Sequence, residues 1–355
     1  MHTTEPSHAR TAFLLIALIA ITSTLAASDR RMKLSLNKRW KFHIGDDPQY
    51  ALTDFDDSEW TAIRPGRPWE RQGFPGYDGT AWYRITFPIP EKLSDLALGL
   101  DLGYIDDVDR VYVNGEYVGG RGAVEPYTTA YNVRRYYPLP HSLLHFDGEN
   151  TIAVQVYDEE GDGGLVGGRV GIYAENRLKI AQDLSGQWRF MLGDDMKWKD
   201  PDADVSGWET VMTPATWTDY GYPDYDGYAW YRRTFVPDPS LRDEKIILAL
   251  GKIDDIDEVY INGERVGRTG RFPGERYVDR NNSYYNRDRF YYITPEVLRW
   301  GKPNTIAIRV YDVWQIGGIY EGPIGFVLRE EYLNYKDRSK SSFGDFIERL
   351  IENWD

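Results

Sequence analysis

The sequence contains no cysteine, which removes disulfides, thiolate metal sites and cysteine nucleophiles in one step. Histidine is scarce, at five in 355 residues, and two of these, His2 and His8, lie ahead of the first apolar run. Basic residues are outnumbered by acidic ones, 42 against 56, leaving a formal charge of −14. Such a surface repels phosphate backbones and anionic lipid, so neither nucleic acid nor a membrane surface is an expected partner. The apolar run at residues 12–21 is ten residues long, whereas a bilayer needs about 20. What the chain has in quantity is aromatic and turn-forming: 27 Tyr, 12 Trp and 34 Gly. That composition suits a soluble globular protein, and at about 150 residues per domain the length suggests two domains.

The first 27 residues read as an address rather than as fold. His8 and Arg10 precede the apolar run, and Thr22, Ser23, Thr24 and Leu25-Ala26-Ala27 follow it, the layout of a secretory signal peptide. The expectation is a mature chain that is secreted or periplasmic.

The rest of the chain is one unit written twice. Trp40, Phe42, Gly45, Asp46 and Asp47 recur 148 residues later as Trp188, Phe190, Gly193, Asp194 and Asp195. The same offset carries Trp60 onto Trp208, Trp69 onto Trp217, and Tyr77-Asp78-Gly79 onto Tyr225-Asp226-Gly227. It also carries Trp82-Tyr83-Arg84 onto Trp230-Tyr231-Arg232, and Ile105-Asp106-Asp107 onto Ile253-Asp254-Asp255. After a six-residue insertion near Phe272 the offset becomes 154, placing Tyr157-Asp158 on Tyr311-Asp312 and Gly163-Gly164 on Gly317-Gly318. Copies of this size indicate a duplicated domain rather than a solenoid. The expected domains are residues 33–175 and 178–330, with a tail at 331–355.

Within each copy the hydrophobic period is two. Tyr83, Ile85 and Phe87 alternate with Trp82, Arg84 and Thr86, and Ile152, Val154 and Val156 alternate with Ala153, Gln155 and Tyr157. Asn114-Gly115 and Asn262-Gly263 are hairpin turns in waiting, because both central residues of a tight type I′ turn need positive φ. Short strands with Gly, Pro, Asn and Asp between them predict an all-β fold of two β-sandwiches.

Each copy resembles the sugar-binding jelly-roll (galactose-binding-like) domain of glycoside hydrolase family 2. The resemblance rests on Trp40-x-Phe42, Phe55-Asp56-Asp57-Ser58-x-Trp60, Trp69-Glu70, Gly76-Tyr77-Asp78-Gly79-x-Ala81-Trp82-Tyr83-Arg84, Val111-x-x-Asn114-Gly115 and Gly148-Glu149-Asn150. It spans roughly residues 33–330 and implies carbohydrate as ligand, with the domain an accessory to catalysis. In family enzymes two carboxylic acids on a separate barrel cut the glycosidic bond. A barrel takes about 250 residues, and only the short tail follows the second repeat. The acid of those enzymes follows an Asn, and the sequence has no Asn-Glu pair; it also lacks a Gly-x-Ser-x-Gly elbow. The expectation is a carbohydrate-binding protein or detached accessory module that is not catalytic. The alternatives are a glycosidase or esterase using an unrecognised carboxylate set, such as Asp78, Glu125 and Asp158 or Asp226, Glu275 and Asp312, and a structural or protein-docking module.

A sugar ring offers an apolar C–H face and a rim of hydroxyls, so a binding site wants aromatic platforms beside planar polar groups. The candidates are Trp69, Tyr77, Asp78, Trp82, Arg84, Tyr157 and Asp158 in the first copy, and Trp217, Tyr225, Asp226, Trp230, Arg232, Tyr311, Asp312 and Trp314 in the second. Trp82, Arg84, Tyr112 and Tyr157 alternate with core positions and so point outward. A ligand platform, a surface between the copies and a face covered by loops all explain that outward aromatic set. Arg84 and Arg232 are expected to pair with the acidic runs Asp106-Asp107 and Asp254-Asp255. Those runs are also weak calcium candidates, lacking the 12-residue loop of a strong calcium signature. His141 and His145 are four apart, a spacing open to metal or to an ordinary surface turn. In the tail, Phe343, Phe346, Ile347, Leu350, Ile351 and Trp354 form an amphipathic helical stripe, suited to docking on its own domain or on a partner such as a glycoside hydrolase.

Overall fold

The computed structural model describes residues 30–275, 284–314 and 316–337. The signal-peptide reading of residues 1–27 and the helical stripe beyond Ser342 lie outside the described residues.

Each copy is a pair of antiparallel sheets face to face, so the all-β reading is correct. In the first, one sheet runs in the order Arg30–Ser35, Gly171–Lys179, Leu96–Asp106, Arg134–Leu139, with Gly164–Gly167 also paired to Leu96–Asp106. The other has six strands in the order Thr61–Ile63, Trp40–Ile44, Gly79–Pro88, Glu149–Asp158, Val108–Val113, Glu116–Arg121. The second domain repeats the six-stranded sheet strand for strand: Glu209–Thr213, Gly186–Leu192, Gly227–Phe235, Asn304–Asp312, Ile256–Ile261, Glu264–Thr269. Its companion sheet runs Gln182–Asp183, Gly318–Leu328, Ile246–Asp254, Asp288–Tyr292.

The Asn-Gly turns form as expected. Asn114 and Gly115 have φ of 51° and 87°, and Asn262 and Gly263 have 52° and 85°, joining the last two strands of each six-stranded sheet. Each turn is then held by an amide pair: Asn114 donates to Asn150 at 2.9 Å and Asn262 to Asn304 at 2.7 Å.

The inward residues of both sheets make one core per domain. Trp40, Phe42, Trp69, Tyr83 and Val154 lie in the first, and Trp188, Phe190, Trp217, Tyr231 and Ile308 in the second. Polar atoms carried inside are satisfied locally: the Trp40 indole donates to the Leu36 carbonyl and the Trp188 indole to that of Leu184, both at 2.9 Å. A short helix at residues 329–337 follows the last strand, and its Tyr332 packs with Ile247, Ala249 and Val327 on the outside of the second domain's smaller sheet. Among the described residues, no helix is long and apolar enough to cross a membrane.

Candidate functional site

The outward aromatic face is covered. Trp82 and Arg84 are 1% and 2% exposed, because Tyr50, Phe55 and Trp60, from the segment between the second and third strands, fold across the sheet. Trp82 stacks on Tyr112 at 5.6 Å and donates its indole N–H to Asp46 at 3.1 Å. Trp230 does the same with Tyr260 at 5.9 Å and Asp194 at 3.1 Å. Trp69 and Trp217, read from sequence as loop platforms, are instead fully buried in the cores. An apolar ring large enough to serve a sugar also stabilises a sandwich edge, and here burial wins. None of these four indoles presents a face to a ligand.

Arg84 and Arg232 do not pair with the acidic runs either. Arg84 donates to Asp57 at 2.9 Å and to the carbonyl of Leu52 at 2.9 Å, and it also reaches that of Tyr50, pinning the covering segment to the sheet. Arg232 uses the carbonyls of Trp198 and Asp200. The buried ion pairs are elsewhere: Arg135 with Asp109 and Arg289 with Asp257.

Of the sequence candidates, Asp78, Asp226 and Trp314 are exposed, and Tyr77, Tyr157, Tyr225 and Tyr311 are half-buried. Tyr77 and Tyr225 act as latches, each giving its hydroxyl to a backbone carbonyl (Thr80 at 2.7 Å, Tyr228 at 2.8 Å) while its ring packs on Trp69 or Trp217. Trp314 is 70% exposed, on a loop with the exposed Val313 and Ile316. In the second domain Phe272, near the insertion, stacks on Tyr228 at 5.8 Å, and the Arg309 guanidinium lies 4.2 and 4.7 Å from the two ring centres.

Two polar features remain. The first is an acidic centre at the same strand ends in each domain. The Asp107 amide bonds the Tyr157 carbonyl at 3.1 Å, drawing Asp106 and Asp107 against Asp158, and the Asp255 amide bonds the Tyr311 carbonyl at 3.2 Å with the same result for Asp254 and Asp312. Oxygens of Asp106, Asp107 and Asp158 all lie within 4.8 Å of one another, as do those of Asp254, Asp255 and Asp312. Burial and the charges of Asp107, Asp106 and Glu70 push the Asp158 carboxyl up to about 7. Burial also raises Asp312 to about 7, helped by Asp255 and Asp226. Asp106 and Asp254 are raised by burial and by the adjacent carboxylate. Against the cost of burial, hydrogen bonds from Thr129, Tyr127 and the Glu159 amide hold Asp107 below the ordinary range. The proposed hydrolytic trios do not assemble: Asp158 is grouped with Asp106 and Asp107, while Glu125 is exposed on its own turn and Glu275 pairs with Arg268. The two histidines are occupied by backbone, His141 with the Leu96 carbonyl at 2.8 Å and His145 with that of Glu149 at 3.2 Å. Sequence reasoning noticed each acid but had no signal that these strand ends meet.

The second feature is a cleft of about 320 Å³ between the domains. Tyr117, Tyr136 and Arg121 line it from one side, and Glu209, Tyr220 and Tyr320 from the other. Arg121 and Asp219 pair across it. No sequence pattern announced this cleft, because its walls come from unlike faces of the two copies.

Residues 195–324 match the family model described as glycosyl hydrolases family 2, sugar binding domain, and residues 46–162 match the beta-galactosidase second all-beta domain. The second repeat is thus similar to the sugar-binding domain of glycosyl hydrolases family 2, and the first to the second all-beta domain of beta-galactosidase. Similar curated proteins include a putative beta-glucuronidase of Formosa agariphila (27% identity; 41% of this chain, 14% of the relative), the beta-galactosidase BoGH2A of Bacteroides ovatus (27%; 37% and 16%) and a probable beta-galactosidase B of Aspergillus niger (30%; 39% and 14%). The matches thus span about a seventh of these relatives' length. Among solved structures, a beta-glucuronidase of Bacteroides uniformis aligns over 80% of this chain and 28% of its own at 17% identity, with a TM-score of 0.37.

Proposed function

We propose that this chain is a secreted or periplasmic carbohydrate-binding protein that serves glycoside hydrolase chemistry without cleaving the sugar itself. The observation that carries the reading is the interdomain cleft. Its volume sits at the small end of ligand pockets, about 300–1,000 Å³, and its walls combine phenol rings with carboxylates and a guanidinium. Rings of this kind accept the C–H face of a pyranose, and the charged groups take its hydroxyls. The match of the second domain to a sugar-binding model supports the ligand class. The carboxylate trios do not favour hydrolysis, since Asp158 and Asp312 are fully buried and no glycosidic bond can reach them.

Affinity electrophoresis of the full chain through gels of plant and algal polysaccharides tests this. Retardation by at least one glycan, lost in the Tyr117→Ala/Glu209→Ala variant and kept in Trp314→Ala, is expected. No retardation on any gel refutes binding, and release of sugar or acetate from chromogenic substrates by the pure chain refutes the non-catalytic role. The second reading, docking of a partner protein such as a glycoside hydrolase, is favoured by the exposed loop of Val313, Trp314 and Ile316.

A further inference from the structure

We propose that each domain binds one calcium-class divalent cation, held by Asp106, Asp107 and Asp158 in the first and by Asp254, Asp255 and Asp312 in the second. A group of acids alone says little, since acidic loops are common without ions. The deciding observation is at Asp158. Its side chain is 0% exposed, it points into the group, and neither of its oxygens has a hydrogen-bond partner. Asp312 is equally buried; its Oδ1 accepts only the Trp314 amide at 3.3 Å and its Oδ2 has no partner.

Native proteins satisfy the great majority of buried polar atoms, so three unused carboxylate oxygens at two matching places require an explanation. Among the described residues, no cationic side chain is paired with these oxygens. Arg135, whose charge acts on Asp106, is committed to Asp109 at 2.7 Å and to the backbone carbonyls of Ala130, Val133 and Asp107. Arg289 is committed to Asp257 in the same way. A small cation fills the role, because it accepts several oxygens at once and offsets their mutual repulsion.

The donor set selects the ion. All donors are hard oxygens, with no imidazole in either group, which disfavours zinc and copper and favours calcium or magnesium. Magnesium demands near-ideal octahedral geometry and retains most of its water. Calcium tolerates irregular sets of carboxylates with water completing the shell, and the half-buried Asp106 leaves solvent access to the first site. The surroundings are shaped around the third ligand. A Cβ at Gly163 would stand 2.9 Å from the Asp158 carboxyl carbon and 2.3 Å from the Trp69 ring. Duplication provides an internal control, since the two sites arose from one and kept the same three acids. This inference is independent of the sugar reading, because the acidic centres contribute no residue to the cleft.

The test uses the full chain, stripped with chelator and exchanged into chelator-free buffer. Calorimetric titration with calcium chloride is expected to give two ions per chain. Asp158→Asn and Asp312→Asn should each retain one, and the double variant none. Terbium should luminesce on tryptophan excitation, given Trp69 and Trp217 beside the sites, and lose that signal in the double variant. Asn keeps the shape and removes a repelling charge, so these variants should melt in chelator no lower than the parent; Asp106→Asn provides an independent single-site loss. Calcium should also raise the melting temperature of the parent and leave that of the double variant unchanged. The proposal is overturned by the absence of heat or melting shift up to roughly 10 mM calcium, tenfold above the weakest calcium modules. It is equally overturned by a stoichiometry that the double variant does not change, or by magnesium binding as tightly as calcium.

Discussion

Arg135 donates to Asp109 at 2.7 Å with both side chains sealed from solvent, and the Tyr137 hydroxyl donates to the other Asp109 oxygen. The second domain repeats the arrangement with Arg289, Asp257 and Tyr291. Each pair ties the companion sheet to the six-stranded sheet at the end where the acids gather. Breaking a buried pair leaves an uncompensated charge, at a cost of about 3–5 kcal/mol. Asp109→Leu and Asp257→Leu should therefore each lower the urea midpoint strongly. A shift below about 1 kcal/mol would mean that the remaining guanidinium recovers its hydration at no great cost.

The indoles divide by burial rather than by motif. Trp69 fills the first core, packs tilted against Phe42 at 5.6 Å and donates its N–H to the Tyr77 carbonyl at 3.0 Å. Trp69→Ala should cost about 3–5 kcal/mol, and Trp217→Ala the same. Trp314→Ala should stay within about 0.5 kcal/mol, since the ring touches little. Chemical denaturation of the three variants decides between core and platform, and equal stabilities would restore the platform reading.

The sandwiches were legible because strands carry their own period. Tyr83, Ile85 and Phe87 face the core as alternation requires, and Asn114-Gly115 makes the turn its dihedral preferences favour. Of the three readings of the outward aromatic face, the structure shows the covered one at Trp82, a choice that alternation alone cannot make. A period of two separates the faces of a strand but not whether a distant segment covers the outer one, and Tyr50, Phe55 and Trp60 do. Arg135 and Arg289 correspond at the later offset, but the carboxylates they meet, Asp109 and Asp257, lie on another strand in each copy, and no local pattern joins them. The acidic centres were half visible. Asp106-Asp107 and Asp158 were each noticed, but their meeting depends on a cross-strand bond between the Asp107 amide and the Tyr157 carbonyl. The cleft was invisible, since nothing in either copy encodes how the two dock.

Gly163 and Gly317 are predicted to tolerate no side chain. A Cβ on Gly317 would lie 2.2 Å from the Trp217 ring, in a backbone with φ of +49°, and the Gly163 equivalent meets Trp69. Ala at either position has to displace a core indole, so overpacking should cost about 1–3 kcal/mol. Gly221 is the control, because it also has a positive φ but nothing within 4 Å of the added carbon. Gly221→Ala should lose only the backbone preference, about 1 kcal/mol. Melting temperatures that rank Gly221→Ala as the worst of the three would contradict the packing argument.

The pH dependence of the chelated protein follows from the same carboxyls and runs opposite to the usual aspartate case. Asp158 and Asp312 titrate near 7 in the folded state, and Asp106 and Asp254 are raised as well, whereas an unfolded Asp titrates at about 4. Between those values the folded chain holds protons that the unfolded chain has released. Stability is then greatest at the acidic end of the window and declines as pH climbs through the folded values. Asp56, Asp204 and Asp238, lowered by hydrogen bonds from nearby serines, act in the other direction but below this window. In chelator, the urea midpoint should accordingly fall between pH 5 and pH 8, a range set by those shifts and the ordinary aspartate value of about 4. Asp158→Asn/Asp312→Asn should flatten the fall, because an amide has no proton to lose. A midpoint that rises across this range in the parent chain would show that the buried carboxyls ionise without penalty.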